Sequence, residues 1–418
     1  MALAERAGSW DVAEIANSAT VEGTAAKAVS GRSLPAAPVC GALMPLTAIP
    51  AAPWRALAAR AIEPNGYYLP EWELAVDASA QGRMGASALR AWRAAQSIEG
   101  GAARLIGLLP VVSLWHAYTI PLPALASAHP YGTLCTPLLD RDLAQDAAQL
   151  LLREARQTGA HALILRDVAI EGAAMQAITE ALRQGGLRPG VLRSYLRACL
   201  DATRDPDDLL REALGARRLK EVRRQRRRLQ DNGAVGFEVA RRPEDVAGAI
   251  ERFLALESSG WKGRRGTALA LNEGDAAFIR RATVALAASG ECEIVSLLSG
   301  PEPVAAAIVL RHQNRAFYFK LGIDERFAKY SPGVQLTLEL TRHLCADPAI
   351  ATADSMASAD HPMINPIWRG RFAVGDVLIP LQPRDPVVGL IHAALRLRGS
   401  ARELARLAVR SIPKRGTR

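Results

Sequence analysis

Paired cysteines are missing from this chain. Its five cysteines (Cys40, Cys135, Cys199, Cys292, Cys345) stand far apart and form no CxxC pair, which excludes a disulfide framework and a cysteine-based zinc site. The seven histidines show neither HxH nor HxxxH spacing, so no metal is expected. Long apolar runs are lacking too, and nothing approaches the roughly 18–20 residues of a membrane span. Residues 1–43 carry Glu5, Asp11, Glu14 and Glu22 and have no apolar block of the signal-peptide kind. A poorly ordered leading segment and a cytoplasmic protein with reduced thiols are the expectations. Aromatic residues are scarce at 5%. With neither aromatic interleaving among its basic residues nor a helix-turn-helix signature, specific DNA recognition is not expected.

What the chain does have is a globular balance, 49% apolar and 22% charged over 418 residues, enough for two or three domains with real cores. Lysine and arginine (52) outnumber aspartate and glutamate (42), for a net charge of +10. The excess gathers in Arg217–Arg228 and after Arg396. Such a surface favours anionic partners: nucleic acid, anionic lipid or a phosphorylated cofactor.

Periodicity and turn residues organise the rest. Helices are expected over Trp54–Ile62, Asp140–Thr158, Ala173–Gln184, Leu209–Gln230 and Phe278–Ala288, with another marked by Val246, Ile250, Phe253 and Leu254. Strands are expected at Trp72–Val76, Arg104–Val112, His161–Arg166 and Val191–Leu200. Three apolar runs, Cys292–Leu298, Val304–Arg311 and Ala316–Gly322, are separated by the turn pairs Ser299-Gly300 and Gln313-Asn314. A helix over Pro332–Cys345 and a short strand at Ile350–Asp354 follow. Strand, helix and strand over Leu105–Arg166 are echoed over Ala316–Asp354. The pattern implies a mixed α/β fold in two similar halves, 44–205 and 206–385, with a basic C-terminal helix or tail at 386–418.

The segment from Phe317 to Gln335 is the most informative. A strand feeds Tyr330-Ser331-Pro332-Gly333-Val334-Gln335, where Ser331 is a good N-cap and Pro332 suits the first helical position. Gly333 leaves room for a ligand to approach the backbone. The first amides of such a helix carry partial positive charge and accept phosphates. Read without a ligand, Ser-Pro-Gly simply starts a helix.

Four stretches carry a family resemblance: Leu219–Leu229, Phe253–Leu269 with Glu257, Trp261 and Lys262, the Tyr330–Gly333 turn, and His361-Pro362-Met363-Ile364 with Ile367-Trp368-Arg369. Together they resemble the GNAT-related acetyltransferases of the CelD (cellulose biosynthesis) type, relatives of the FemAB peptidyltransferases. The resemblance implies tandem GNAT-like domains and a splayed sheet that binds acetyl-CoA or another acyl-CoA. It puts the pyrophosphate on Tyr330, Ser331, Gly333, Val334 and Gln335. The acceptor it implies is an amine or hydroxyl of a small molecule, saccharide or lipid precursor, with a role in exopolysaccharide or envelope biosynthesis taken from the family's naming. The usual Gln/Arg-x-x-Gly-x-Gly/Ala loop is replaced here, which leaves aminoacyl-tRNA, the Fem donor, open as an alternative. In the first half the matching turn, Cys135–Asp140, has no glycine, so one donor site is expected.

Catalytic candidates are Glu257, His361 and Asp354. Glu257 lies on the apolar stripe of its helix, where burial would raise its pKa and suit it to be a general base; alternatively it pairs with Lys262. His361 titrates near neutrality when unperturbed, as a base or as a hydrogen-bonded loop residue. Asp354 ends a strand beside the turn. Trp261 and Lys262, in a glycine-rich loop, serve as a lid and an anion anchor for substrate, or as packing. The arginine-rich helix either holds RNA, an anionic acceptor or cofactor phosphates, or is a solvated spacer. A non-catalytic polyanion-binding protein is therefore the rival reading.

Overall fold

A computed structural model describes residues 43–81, 85–94, 103–129 and 131–411. The expectation for the leading segment lies outside these residues, Leu43 apart. In the first half the helices are α1 (Ala51–Ala59), α2 (Pro70–Ser79), α3 (Leu114–Tyr118), α4 (Ala144–Gln157) and α5 (Ala173–Gln184). Its strands are β1 (Met44–Pro45), β2 (Ser87–Arg93), β3 (Arg104–Ser113), β4 (Ala124–Ser127), β5 (Leu138–Leu139), β6 (Ala162–Ala169) and β7 (Gly190–Asp201). The second half supplies α6 (Pro206–Gln230), β8 (Val235–Ala240), α7 (Pro243–Ser259), α8 (Trp261–Arg264) and α9 (Glu273–Ala288). The meander β9 (Cys292–Ser299), β10 (Glu302–His312) and β11 (Arg315–Ile323) comes next, then α10 (Pro332–Cys345) and β12 (Thr352–Asp354). β13 (Gly370–Pro380) and α11 (Pro386–Ser411) complete the described chain.

Apolar spacing accounts for most of these elements. In α4 the buried side chains are Ala147, Ala148, Leu151, Leu152 and Ala155, a single helical stripe. Helix α10 buries Leu336, Leu340 and Leu344 in the same way. Trp72–Val76, expected as a strand, is helical. Pro70 occupies the first turn with Glu71 and Glu73, a combination that favours a helix start, and Trp72 and Val76 are buried one turn apart. The long basic helix is also broken: Gly215 sits at φ 68 and ψ 165, a conformation that glycine reaches cheaply. The arginine-rich stretch is thereby turned independently of the helix start.

The strands form one sheet in the order β1-β2-β3-β4-β6-β13-β7-β12-β11-β10-β9-β8, with β5 beside β3. Read from either end, the order describes the same half twice. In each half a parallel pair closes around a helix: β4 with β6 around α4, and β11 with β12 around α10. The counterpart of β11 is thus β4, whereas the sequence repeat points to the strand at Leu105. The last strand of each half crosses over. β7 pairs with β12 of the second half, and β13 lies between β6 and β7.

The two halves also share a core. Trp72 meets Tyr67, Phe278 and Phe319 edge-on, with ring centroids 5.3, 5.0 and 5.0 Å apart. Arg197 of β7, fully buried, bonds both sides of this seam. It donates to the Thr133 carbonyl at 2.7 Å and to the Asp354 carboxylate at 3.2 Å.

Candidate functional site

The site grows from the place where β11 and β12 part. They pair only over Arg315–Phe317 and Thr352–Asp354. Past Phe317 the strand runs on to Ile323 with no neighbour on that side among the described residues, and a cleft of 1420 Å³ opens there. Its floor is the end of β11 (Leu321, Gly322, Ile323), and one wall is the start of α10 with Ser331, Pro332, Gly333 and Val334. A second wall is the arginine-rich part of α6, which presents Arg217, Arg218, Lys220, Arg223, Arg224 and Arg227. Apolar surface comes from Leu214, Leu256, Trp261, Met363 and Ile367.

Ser331 does not cap α10. Its backbone is left-handed (φ 52, ψ 55) and its side chain makes no capping bond, so the expectation of a serine N-cap is corrected. The first amide that α10 satisfies is Gln335 N–H, bonded to the Ser331 carbonyl at 3.1 Å. Pro332 has no N–H, and no described residue accepts from the amides of Gly333 or Val334. Two oriented donors therefore face the cleft at the positive end of a 14-residue helix.

Gly333 lines the cleft. A Cβ there would stand 3.1 Å from Leu321 and 3.3 Å from the Met363 sulfur. The missing side chain lets α10 pack closely onto the β11 floor. Tyr330 and Gln335 do not line the cleft. Gln335 is buried, and its amide folds back on the Tyr330 carbonyl at 2.7 Å, which braces the turn from behind.

A buried charge cluster borders the same floor. The Glu257 carboxylate accepts from Lys262 Nζ at 3.0 Å, from Lys320 Nζ at 3.5 Å and from the Leu269 amide at 2.9 Å. Burial alone would raise its pKa. Lys320, Lys262 and the Leu269 amide outweigh that and bring it down to about 2. The expected raised pKa is corrected: Glu257 is an ionised, poorly basic carboxylate. Lys262 is pushed down by burial and by Lys320 against the pull of Glu257. Lys262 also donates to the Leu321 carbonyl at 3.0 Å, on the open part of β11.

Trp261 and Lys262 form the helical turn α8, where a loop was expected. The Trp261 amide is held by Glu325 at 2.6 Å, and Arg265 stacks over its ring at 5.1 Å. His361 is buried, its Nδ1 accepting from the amides of Met363 and Ile364 at 3.3 and 3.2 Å. Burial, opposed by backbone bonding and assisted by Lys262, brings its pKa down to about 4. It is a neutral ring that shapes the 361–364 turn. Asp354 is not on the cleft: it is paired with Arg197 and caps the Met356 amide at 2.8 Å. The structure thus gathers Ser331, Gly333, Val334, Glu257, Trp261 and Lys262 around one cleft and separates Asp354, Tyr330 and Gln335 from it.

Sequence reasoning missed Lys320 and Glu325. The signal for Lys320 was a lone charge inside the apolar run Phe317–Leu321. No comparable signal marked Glu325. In the first half the equivalent helix, α4, follows a turn that is already filled. There Asp140 is bonded to Arg104 and to Arg60.

Fold and cleft together define a mixed α/β protein of two similar halves. Residues 216–361 match a family model described as an acetyltransferase (GNAT) domain. A crystal structure of FemX superposes with a TM-score of 0.53 at 12% identity, covering 82% of this chain and 98% of that one. The C-terminal domain described as that of a lysylphosphatidylglycerol synthetase from Agrobacterium fabrum gives 0.50 at 13%, covering 82% and 95%. At these identities the likeness is one of fold. No curated protein matches the chain. Among the described residues no helix is long and apolar enough to cross a membrane, and no cluster suited to a metal ion occurs.

Proposed function

We propose that the chain is an acyltransferase that takes an acyl group from acyl-CoA, acetyl-CoA in the simplest case, and passes it to an amine or hydroxyl. The observation that supports this most is the pair of unpartnered amides, Gly333 and Val334, bordering the same cleft as the basic wall. The amides would take the diphosphate, and Arg217, Lys220 and Arg224 the remaining negative charge. The acceptor attacks the thioester carbonyl, the C–S bond breaks, and CoA leaves as the thiolate, which takes up a proton from water to become the thiol. Lys262, steadied by Glu257, would counter charge growing on the carbonyl oxygen. Glu257 binds a proton too weakly to be a good base, so an amine acceptor enters neutral and its proton leaves to water in the open cleft.

On this reading 206–385 is the catalytic half. Residues 44–205 are its degenerate partner, 386–418 is a separate basic element, and the four described cysteines stay reduced in the cytoplasm. The acceptor class, a saccharide or lipid precursor of CelD-like or Fem-like chemistry, is part of the same proposal.

A second reading has one observation in its favour. The six cations along the α6 wall extend over roughly 15 Å of helix, more than a diphosphate needs, which suits an aminoacyl-tRNA donor. Calorimetric titration with CoA and with tRNA, followed by mass spectrometry of an amine panel incubated with acetyl-CoA, decides between them. Micromolar CoA binding with acetyl transfer supports the first reading. Salt-steep tRNA binding with no CoA response overturns it.

A further inference from the structure

No described residue of α11 lines the cleft, and the exposed face of this helix makes a separate case. Helix α11 packs one side onto the first half. Ile391 is buried among Leu114, Ala124, Ile164 and Leu378, with Val387, Val388 and Leu395 beside it. Arg398 lies over the Tyr118 ring of α3 at 5.8 Å. Leu390, Leu397 and Leu404 are on none of that surface. They are 61%, 72% and 67% exposed and recur every seven residues, so at about 100° per residue they share one stripe along the helix. Trp115, three residues before Tyr118 on the neighbouring α3, is 53% exposed. From Arg396 to Ser411, the later part of α11, the sequence carries five arginines against one acidic residue, Glu403.

Leucines on a regular stripe beside an almost purely cationic sequence suit one kind of occupant. A second copy of this helix would cover the leucines but bring like charges together. A nucleic acid would satisfy the arginines and leave the leucines wet. An anionic bilayer surface answers both: leucines enter the acyl boundary while arginines meet the headgroups, with tryptophan at the interface. We propose that α11 docks this protein, in the plane of the interface, onto a membrane rich in anionic phospholipid. The inference is independent of the reaction assigned to the cleft.

The test is co-sedimentation of the full chain with vesicles of phosphatidylglycerol and phosphatidylcholine in equal parts, and with phosphatidylcholine alone, at physiological salt. Binding to the anionic vesicles only is expected. The combined variant Leu390→Gln, Leu397→Gln, Leu404→Gln should weaken it by about tenfold or more. Those side chains are solvent-facing, so its melting temperature should match the parent's. Failure to bind anionic vesicles overturns the proposal. So does binding that survives the triple substitution, because charge alone would then be responsible. A parent dimer that the triple variant converts to monomer also overturns it, and assigns the stripe to a second copy.

Discussion

Replacing Ser331 by aspartate tests the donor site without disturbing the packing under it. Residue 331 sits at φ 52, and aspartate is among the few residues that tolerate the left-handed region. The side chain lines the cleft, beside the free amides of Gly333 and Val334. A carboxylate about 5 Å from a diphosphate costs roughly 3 kcal/mol per charge pair at an effective dielectric near 20. Since the cleft is open to water, about half of that is a fair expectation, or a ten- to thirtyfold loss of CoA affinity. Ser331→Asn has the same shape and backbone tolerance with no charge, and should stay within about threefold of the parent. Calorimetric titration with CoA at two salt concentrations reads the effect, and the aspartate penalty should shrink as salt rises. Equal CoA affinity of the two variants and the parent, with unchanged melting temperatures, would show that no diphosphate rests there. Gly333 is less suited to this test, because any side chain meets Leu321 and Met363 first.

Other outcomes follow from the charge networks. Glu257→Gln leaves Lys262 buried with its counter-charge gone, and should lower stability by about 2–4 kcal/mol in denaturant unfolding; a loss under 0.5 kcal/mol would mean the pair is incidental. Arg197→Met strands Asp354 at the seam and should cost about 3–5 kcal/mol, with both halves unfolding less cooperatively; an unchanged single transition contradicts the seam. His361 is neutral in the fold with its pKa brought down to about 4, against about 6.5 when unfolded. The unfolded chain therefore binds the extra proton between these values, so this contribution to stability is full above pH 6.5 and lost as pH falls toward 4. His312, brought down to about 4, acts in the same window. Melting temperature should drop between pH 7 and 5, and His361→Asn should flatten part of that slope; a flat parent profile would refute it.

Much of the second half could be read from its residues. Pro332–Cys345 and Ala173–Gln184 have the bounds that spacing and glycine stops indicate, and the β9–β11 meander follows its two turn pairs. In these elements local period and turn chemistry agree, so little else is needed to define them. The strand Gly370–Pro380 went unread, since its partners lie in β6 and β7, roughly 170–220 positions earlier in the chain. No short-range signal encodes such pairing. Asp354 was misplaced for a related reason: its neighbour Arg197 comes from the exchanged strand.

The sequence by itself settled the α/β alternation, the basic character of α6 and the proline-led start of α10, because each depends on residues within a few turns of one another. It also gave the charge balance that calls for an anionic partner. Tertiary structure decided the rest. Strand exchange fixed how the halves meet, and parting of β11 from β12 opened the cleft. The break at Gly215 let the arginine face line the same cleft as the free amides. Glu257 shows the difference most directly: its burial was legible from helical spacing, but the sign of its pKa shift was not. Burial and charge oppose each other there, and the two lysines that decide the outcome reach it from α8 and β11, which only folding brings together.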